Sequence, residues 1–283
     1  MGSLEVSHRS TVTPDQIDEI GHMNVRYYGA NAIAGTAALC ERLGFGLPPI
    51  RSTYTRHHHE QMEGNELEVR SALLDGDRLR FYHELRNVAD DDLAASFVYE
   101  LDHAPVEAPT IALPEYGRPR SLRLDTDGLA SAPSLDRVEA LDLATRKPRT
   151  VGTEDTLGGQ TVPPEMGGQL LWGGDRLDDE ESWIRTLPNG DRFAYVVVEN
   201  RMWIRPEPIN IGTQIQSFRA TVEIGEKIAR DVAWCFDTST GDALVVVEAV
   251  DLCFNMTERR SMVVPPGARA EDDADFHPEL APR

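Results

Sequence analysis

The feature that most limits how this chain can fold is a change of hydrophobic period that occurs twice. From Asn24 to Leu43, residues Val25, Tyr28, Ala32, Leu39 and Leu43 fall on one stripe at helical spacing, with Gly35 allowing a close approach. Asn24 is a suitable N-cap and Gly44 a suitable terminator. From Ser52 onward the period becomes two. Ser52–Gln61, Glu66–Leu74, Arg78–Val88 and Leu93–Asp102 read as strands, separated by turns at residues 63–65, 75–77 and 90–92. A short strand, Leu4–Thr11, and a turn-like stretch, Val12–Met23, precede the helix. A helix followed by an antiparallel meander predicts an α+β unit over residues 1–103.

The same order recurs over residues 149–264. Arg149–Thr156 is strand-like, Leu157–Gly168 is rich in Gly and Pro, and Gln169–Leu187 is expected to be helical in part. Strands follow at Phe193–Arg205, Gln214–Ile224, Lys227–Asp237 and Ala243–Asn255. Repetition of this kind implies two copies of one architecture in tandem. Between the copies, residues 104–148 carry prolines at 105, 109, 114, 119 and 133, with a short helix expected from Ser134 to Ala144. This stretch is expected to be a crossover linker packed on the surface. Residues 265–283 are acidic and Pro-rich and are expected to be disordered.

Composition excludes several classes of function. The 283 residues are 40% hydrophobic and 27% charged, as in soluble globular proteins. No apolar run approaches the roughly 18–20 residues of a membrane span, and the N-terminus has no secretory pattern. A net charge of −20 repels phosphate backbones and anionic lipid, so neither nucleic acid nor a membrane is an expected partner. The three cysteines, Cys40, Cys235 and Cys253, are too few and too scattered for a disulfide framework. They suit a reducing compartment, and the expected location is the cytoplasm.

One segment carries chemistry: Asp18-Glu19-Ile20-Gly21-His22-Met23-Asn24-Val25-Arg26-Tyr27-Tyr28. A carboxylate stands just before a helix start, and Gly21 permits a sharp turn. The N–H groups around Asn24 and Val25 begin the helix and lack intrahelical acceptors. A carboxylate able to act as base or nucleophile, close to donors for a developing oxyanion, suits acyl transfer.

The run Asp18, Gly21, His22, Met23, Asn24 and Tyr27-Tyr28 resembles the hot-dog thioesterase superfamily, in particular its 4-hydroxybenzoyl-CoA thioesterase-like branch. The resemblance implies a curved antiparallel sheet wrapped around a long helix, two such units forming the functional pair. For this chain it implies two tandem hot-dog units packed as a pseudo-dimer. It implies that Asp18 attacks the thioester or activates water, and that the N–H near Val25 polarises the carbonyl. His22 is expected to orient Asp18 or shape the turn, and Asn24 to cap the helix or touch the ligand. The substrate implied is an acyl-CoA or acyl-carrier-protein thioester. No metal or redox cofactor is implied, coenzyme A being part of the substrate. Two such chains could also pair as a homodimer.

Other signals are weaker. Asp155-Thr156-Leu157-Gly158 echoes the motif without its histidine, so one competent site is expected. Glu199-Asn200 is a speculative helper. His57-His58-His59 invites a metal, but alternation would put His57 and His59 on one face and His58 on the other, too few ligands for zinc. Arg201, Arg205, Arg259 and Arg260 could meet coenzyme A phosphates or simply balance an acidic surface. Thioesterase activity is the leading expectation. A hot-dog hydratase or dehydratase and a non-catalytic thioester-binding module are the rivals.

Overall fold

A computed structural model describes residues 2–175 and 184–283. The chain divides into two compact units. The first comprises Met1–Arg120 with Pro164–Met166, the second Ser121–Pro163 with Gly167–Arg283.

The first unit contains β1 (Glu5–Thr11), α1 (Val25–Arg42), β2 (Ile50–His57), β3 (Glu66–Leu74), β4 (Arg80–Asn87) and β5 (Leu93–Leu101). The strands form an antiparallel sheet in the order β1-β3-β4-β5-β2. Helix α1 lies against it, burying Tyr28, Ala32, Thr36 and Cys40 together with Val69, Phe81, Phe97 and Tyr99. Asn24 is the N-cap, its side chain accepting the Arg26 N–H. At the other end Gly44 N donates to Glu41 O and Phe45 N to Cys40 O, the paired bonds of a Schellman cap.

Gly35 sets the distance between helix and sheet. A β-carbon there would stand 2.7 Å from Ser7 Oγ and 2.8 Å from Val69 Cγ1. The hydroxyls it spares belong to a buried polar chain. Ser7 Oγ meets Ser71 Oγ at 2.6 Å, Ser71 Oγ meets His83 Nδ1 at 2.6 Å, and His83 Nε2 meets Thr36 Oγ1 at 3.0 Å. Each member is thereby satisfied, as a buried polar group must be. Burial pushes the His83 imidazole down to about 3, so the ring is neutral.

The second unit contains α2 (Leu135–Ala140), α3 (Gly167–Trp172), β6 (Arg192–Ile204), β7 (Gln214–Ile224), β8 (Ile228–Asp237) and β9 (Ala243–Asn255), with antiparallel order β6-β9-β8-β7. One hydrophobic cluster joins Leu129, Val138 and Leu143 to Phe218, Trp234 and Val246. Another joins Leu170 and Leu171 of α3 to Ile215, Cys235 and Val245. Ser134 caps α2 as expected, its hydroxyl accepting the Arg137 N–H.

Three expectations need correction. The helix expected within Gln169–Leu187 is confined to α3, ending where Gly173 N donates to Gln169 O beside Gly174. Residues 176–183 lie outside the described ones, and Arg185–Thr186 is a short strand, so a long helix is present only in the first unit among the described residues. Strand Arg149–Thr156 is reduced to Arg149–Thr150, because Asp155 is drawn back into a turn. The tail is ordered: helix α4 (Pro266–Ala274) follows Val264, and Val264 and Ala268 are buried with Phe193 and Cys253. Beyond it Thr221 donates its N–H to Asp275 O and accepts the His277 N–H. Among the described residues no helix is long and apolar enough to cross a membrane.

Candidate active site

The motif folds into a closed turn at the foot of α1. Ile17 and Met23 form an antiparallel bridge, Asp18 N donates to His22 O at 2.8 Å, and Gly21 takes a φ of 87° at its tip. That left-handed conformation favours glycine. Asp18 Oδ1 accepts two main-chain N–H groups, from Ile20 at 3.0 Å and from His22 at 3.1 Å. Among the described residues Oδ2 has no hydrogen-bond partner, and the side chain is only half-buried. One oxygen thus builds the turn and the other is left for chemistry.

The helix start next to it offers one donor. Arg26 N donates to Asn24 Oδ1 at 3.1 Å and Tyr27 N to Asn24 O at 3.0 Å. Of the first three helical N–H groups only that of Val25 has no acceptor among the described residues, and Val25 is 55% exposed. Asn24 therefore caps the helix, and in doing so leaves Val25 as the available N–H at the positive end of the helix dipole.

Tyr28 ties this corner together. Its buried hydroxyl accepts the Gln61 N–H at 2.9 Å and donates to His59 O at 3.4 Å. Gln61 O in turn accepts the Met23 N–H at 2.8 Å. Burial pushes the Tyr28 hydroxyl up to about 12 against the opposing pull of the Gln61 N–H, and the nearby Asp18 charge adds to the rise. A phenol held neutral in this way acts as a fixed part of the wall rather than as an acid or base.

The histidine run diverges. His57, the last residue of β2, packs edge-on against Tyr28 with ring centroids 5.5 Å apart, and burial pushes it down to about 4. His58 turns away to Ser96 Oγ at 3.2 Å and the Tyr116 ring. Burial, then the charge of Arg56, also push it down to about 4. His59 is exposed and faces Asp92 at 3.5 Å. His57 and His59 do not share a strand face as alternation suggested, because β2 ends at His57: His58 N and His59 N both donate to Ala94 O. Among the described residues no group of three or more His, Cys, Asp or Glu side chains could hold a metal.

That early end of β2 brings in a residue the sequence did not single out. Glu60 Oε1 lies 3.2 Å from Nδ1 of His22, whose side chain is 8% exposed. The available signal was loss of alternation in the polar run His57-His58-His59-Glu60-Gln61.

In the second unit the motif's echo is closed off. Both Asp155 oxygens are taken by Arg149, at 2.6 and 2.9 Å, and Gly152 N adds a third bond at 2.9 Å. Burial alone would raise the Asp155 carboxyl, but the Arg149 fork and the Gly152 N–H outweigh it and hold it below the usual carboxylate range. Glu199 is engaged by the N–H groups of Ser121 and Leu122, and Arg201 by Glu248 at 2.6 Å. Among the described residues, these groups serve the second unit's own packing.

The family model described as the thioesterase-like superfamily matches residues 12–115, a span that holds the Asp18 turn, the start of α1 and Glu60. Residues 12–115 belong to the thioesterase-like superfamily. Solved structures resemble a larger part of the chain. The 12:0-ACP thioesterase from Umbellularia californica is 10% identical with a TM-score of 0.62, over 87% of this chain and 93% of that one. An acyl-ACP thioesterase from Bacteroides thetaiotaomicron is 9% identical with a TM-score of 0.55, over 86% and 96%. A conserved hypothetical protein from Mycobacterium tuberculosis, described as having a double hotdog fold, is 11% identical with a TM-score of 0.54, over 90% and 97%. At such identities the likeness is one of fold, and the fold of this thioesterase-like chain is the double hotdog. Among curated proteins none matches its sequence.

Proposed function

We propose that this thioesterase-like protein hydrolyses an acyl thioester, carried on coenzyme A or an acyl-carrier protein, to a carboxylic acid and a thiol. The observation that carries the reading is the division of labour within Asp18: Oδ1 is fixed by the N–H groups of Ile20 and His22 while Oδ2 has no partner among the described residues. A carboxylate locked in this way keeps its orientation without help from substrate. In the reaction Oδ2 either takes a proton from the attacking water or adds to the thioester carbon to form an anhydride that water then opens. The Val25 N–H, at the positive end of α1, stabilises the oxyanion. Collapse of the intermediate breaks the carbon–sulfur bond, and the thiolate leaves and is protonated. Asp155 is bound on both oxygens by Arg149, which favours a single competent carboxylate of this type.

The test is free-thiol release from short, branched, aromatic and long acyl-CoAs and from acyl-carrier-protein thioesters. Turnover on one acyl class supports the reading and names the substrate. Saturable binding with no thiol release from any member would replace it with a non-catalytic binding module. Hydration of enoyl thioesters without thiol release would replace it with a hydratase.

A further inference from the structure

The end of β2 is built to deliver Glu60 to the Asp18 turn. Two consecutive N–H groups, of His58 and His59, share the single acceptor Ala94 O at 2.9 and 3.2 Å, and this doubling ends the strand's pairing. The chain is then pinned on both sides of Glu60. His59 O accepts the Tyr28 hydroxyl, Gln61 N donates to that same hydroxyl, and Gln61 O accepts the Met23 N–H. The Gln61 side chain accepts the Asn87 amide at 3.1 Å. Glu60 itself points a carboxylate oxygen to 3.2 Å from Nδ1 of His22, an atom sealed from solvent. His22 belongs to the Asp18 turn through two main-chain bonds, its N–H to Asp18 Oδ1 and its carbonyl from Asp18 N.

A carboxylate facing one ring nitrogen decides where the imidazole proton sits. Facing Glu60, Nδ1 carries the proton, and Nε2 keeps the lone pair in the neutral ring. Removal of that charge leaves the ring free to choose the other tautomer. A simple surface ion pair predicts little change on removing Glu60, since such pairs contribute little to stability.

We propose that Glu60 is a positioning residue of the active site, fixing the tautomer and orientation of His22 beside Asp18; its kinetic consequence rests on the hydrolase reading above. Glu60 acts through His22 and is not required to touch the substrate.

Two measurements on the full chain test it. The first is the nitrogen-15 and proton spectrum of the His22 ring in wild type and Glu60→Gln, which reads the tautomer whether or not any thioester is turned over. The Nδ1-protonated pattern in wild type, shifted toward the Nε2-protonated one in the variant, is expected; identical ring signals overturn the proposal. The second is kcat and KM on the best thioester, with Glu60→Gln, Glu60→Asp, His22→Gln and the double variant Glu60→Gln/His22→Gln. Expected are a kcat loss of about 100-fold in Glu60→Gln, little change in KM, partial recovery in Glu60→Asp, and no further loss when Glu60→Gln is added to His22→Gln. An unchanged kcat in Glu60→Gln, or an equal loss in the His22→Gln background, overturns it. Absence of turnover in the wild type would sink the hydrolase reading instead, with the ring spectra still deciding whether Glu60 governs His22.

Discussion

Asp18 and His22 are joined twice through the main chain: the His22 N–H is held by Asp18 Oδ1 at 3.1 Å, and the His22 carbonyl accepts the Asp18 N–H at 2.8 Å. The aspartate therefore builds the turn from which the histidine projects. Capping and catalysis, which look like competing roles for one carboxylate, fall on different oxygens of it.

Gly35 offers a test of how α1 is held. Gly35→Ala would drive a methyl into Ser7 Oγ and Val69 Cγ1, atoms of a close-packed layer. Overpacking of this kind costs about 1–3 kcal/mol. Urea unfolding of the variant should show a loss in that range, and a midpoint equal to wild type would mean that helix and sheet separate freely.

Asp155 separates structure from chemistry. Asp155→Asn keeps the shape but strands the Arg149 guanidinium against a neutral amide. Breaking such a pair costs on the order of 3 kcal/mol. Chemical denaturation should register that loss, while kcat measured well below the melting temperature should stay at the wild-type value. A collapse of kcat in folded Asp155→Asn would place a second working carboxylate in the chain.

The first unit's buried histidines predict an acid-sensitive fold. Burial lowers His57 to about 4 and His83 to about 3 from an ordinary 6.5. The unfolded chain therefore binds protons at these rings while the folded chain does not. Their contribution is complete above pH 6.5 and is lost as pH falls toward the folded values. Melting temperature should decline from pH 6.5 to about 4.5, before most carboxylates titrate. The decline should be shallower in His83→Gln; equal slopes in the two proteins would show that His83 accepts a proton without opening the fold.

What the sequence revealed was set by local rules. Asn24 and Gly44 mark the ends of α1 because caps are decided by a few adjacent residues, and the Asp18 turn follows from Gly21 and its neighbours. What it hid depended on contacts distant along the chain. Glu60 reaches His22 only because both N–H groups after His57 settle on Ala94 O, ending a strand that alternation would extend to Gln61. The acidic tail looked too polar to pack, yet Val264 and Ala268 find Phe193 and Cys253. Asp155 kept the spacing of a catalytic motif, and Arg149, six positions earlier, captured its carboxylate.

The central claim is that Asp18 Oδ2 performs the hydrolysis, and Asp18→Asn tests it most directly. The asparagine carbonyl can still accept the Ile20 and His22 N–H groups, so the turn should survive with an unchanged melting temperature. The substituted atom can neither take a proton from water nor attack a thioester. On the best acyl thioester, kcat should fall on the order of 1,000-fold. A folded Asp18→Asn protein that releases thiol at the wild-type rate would contradict the account.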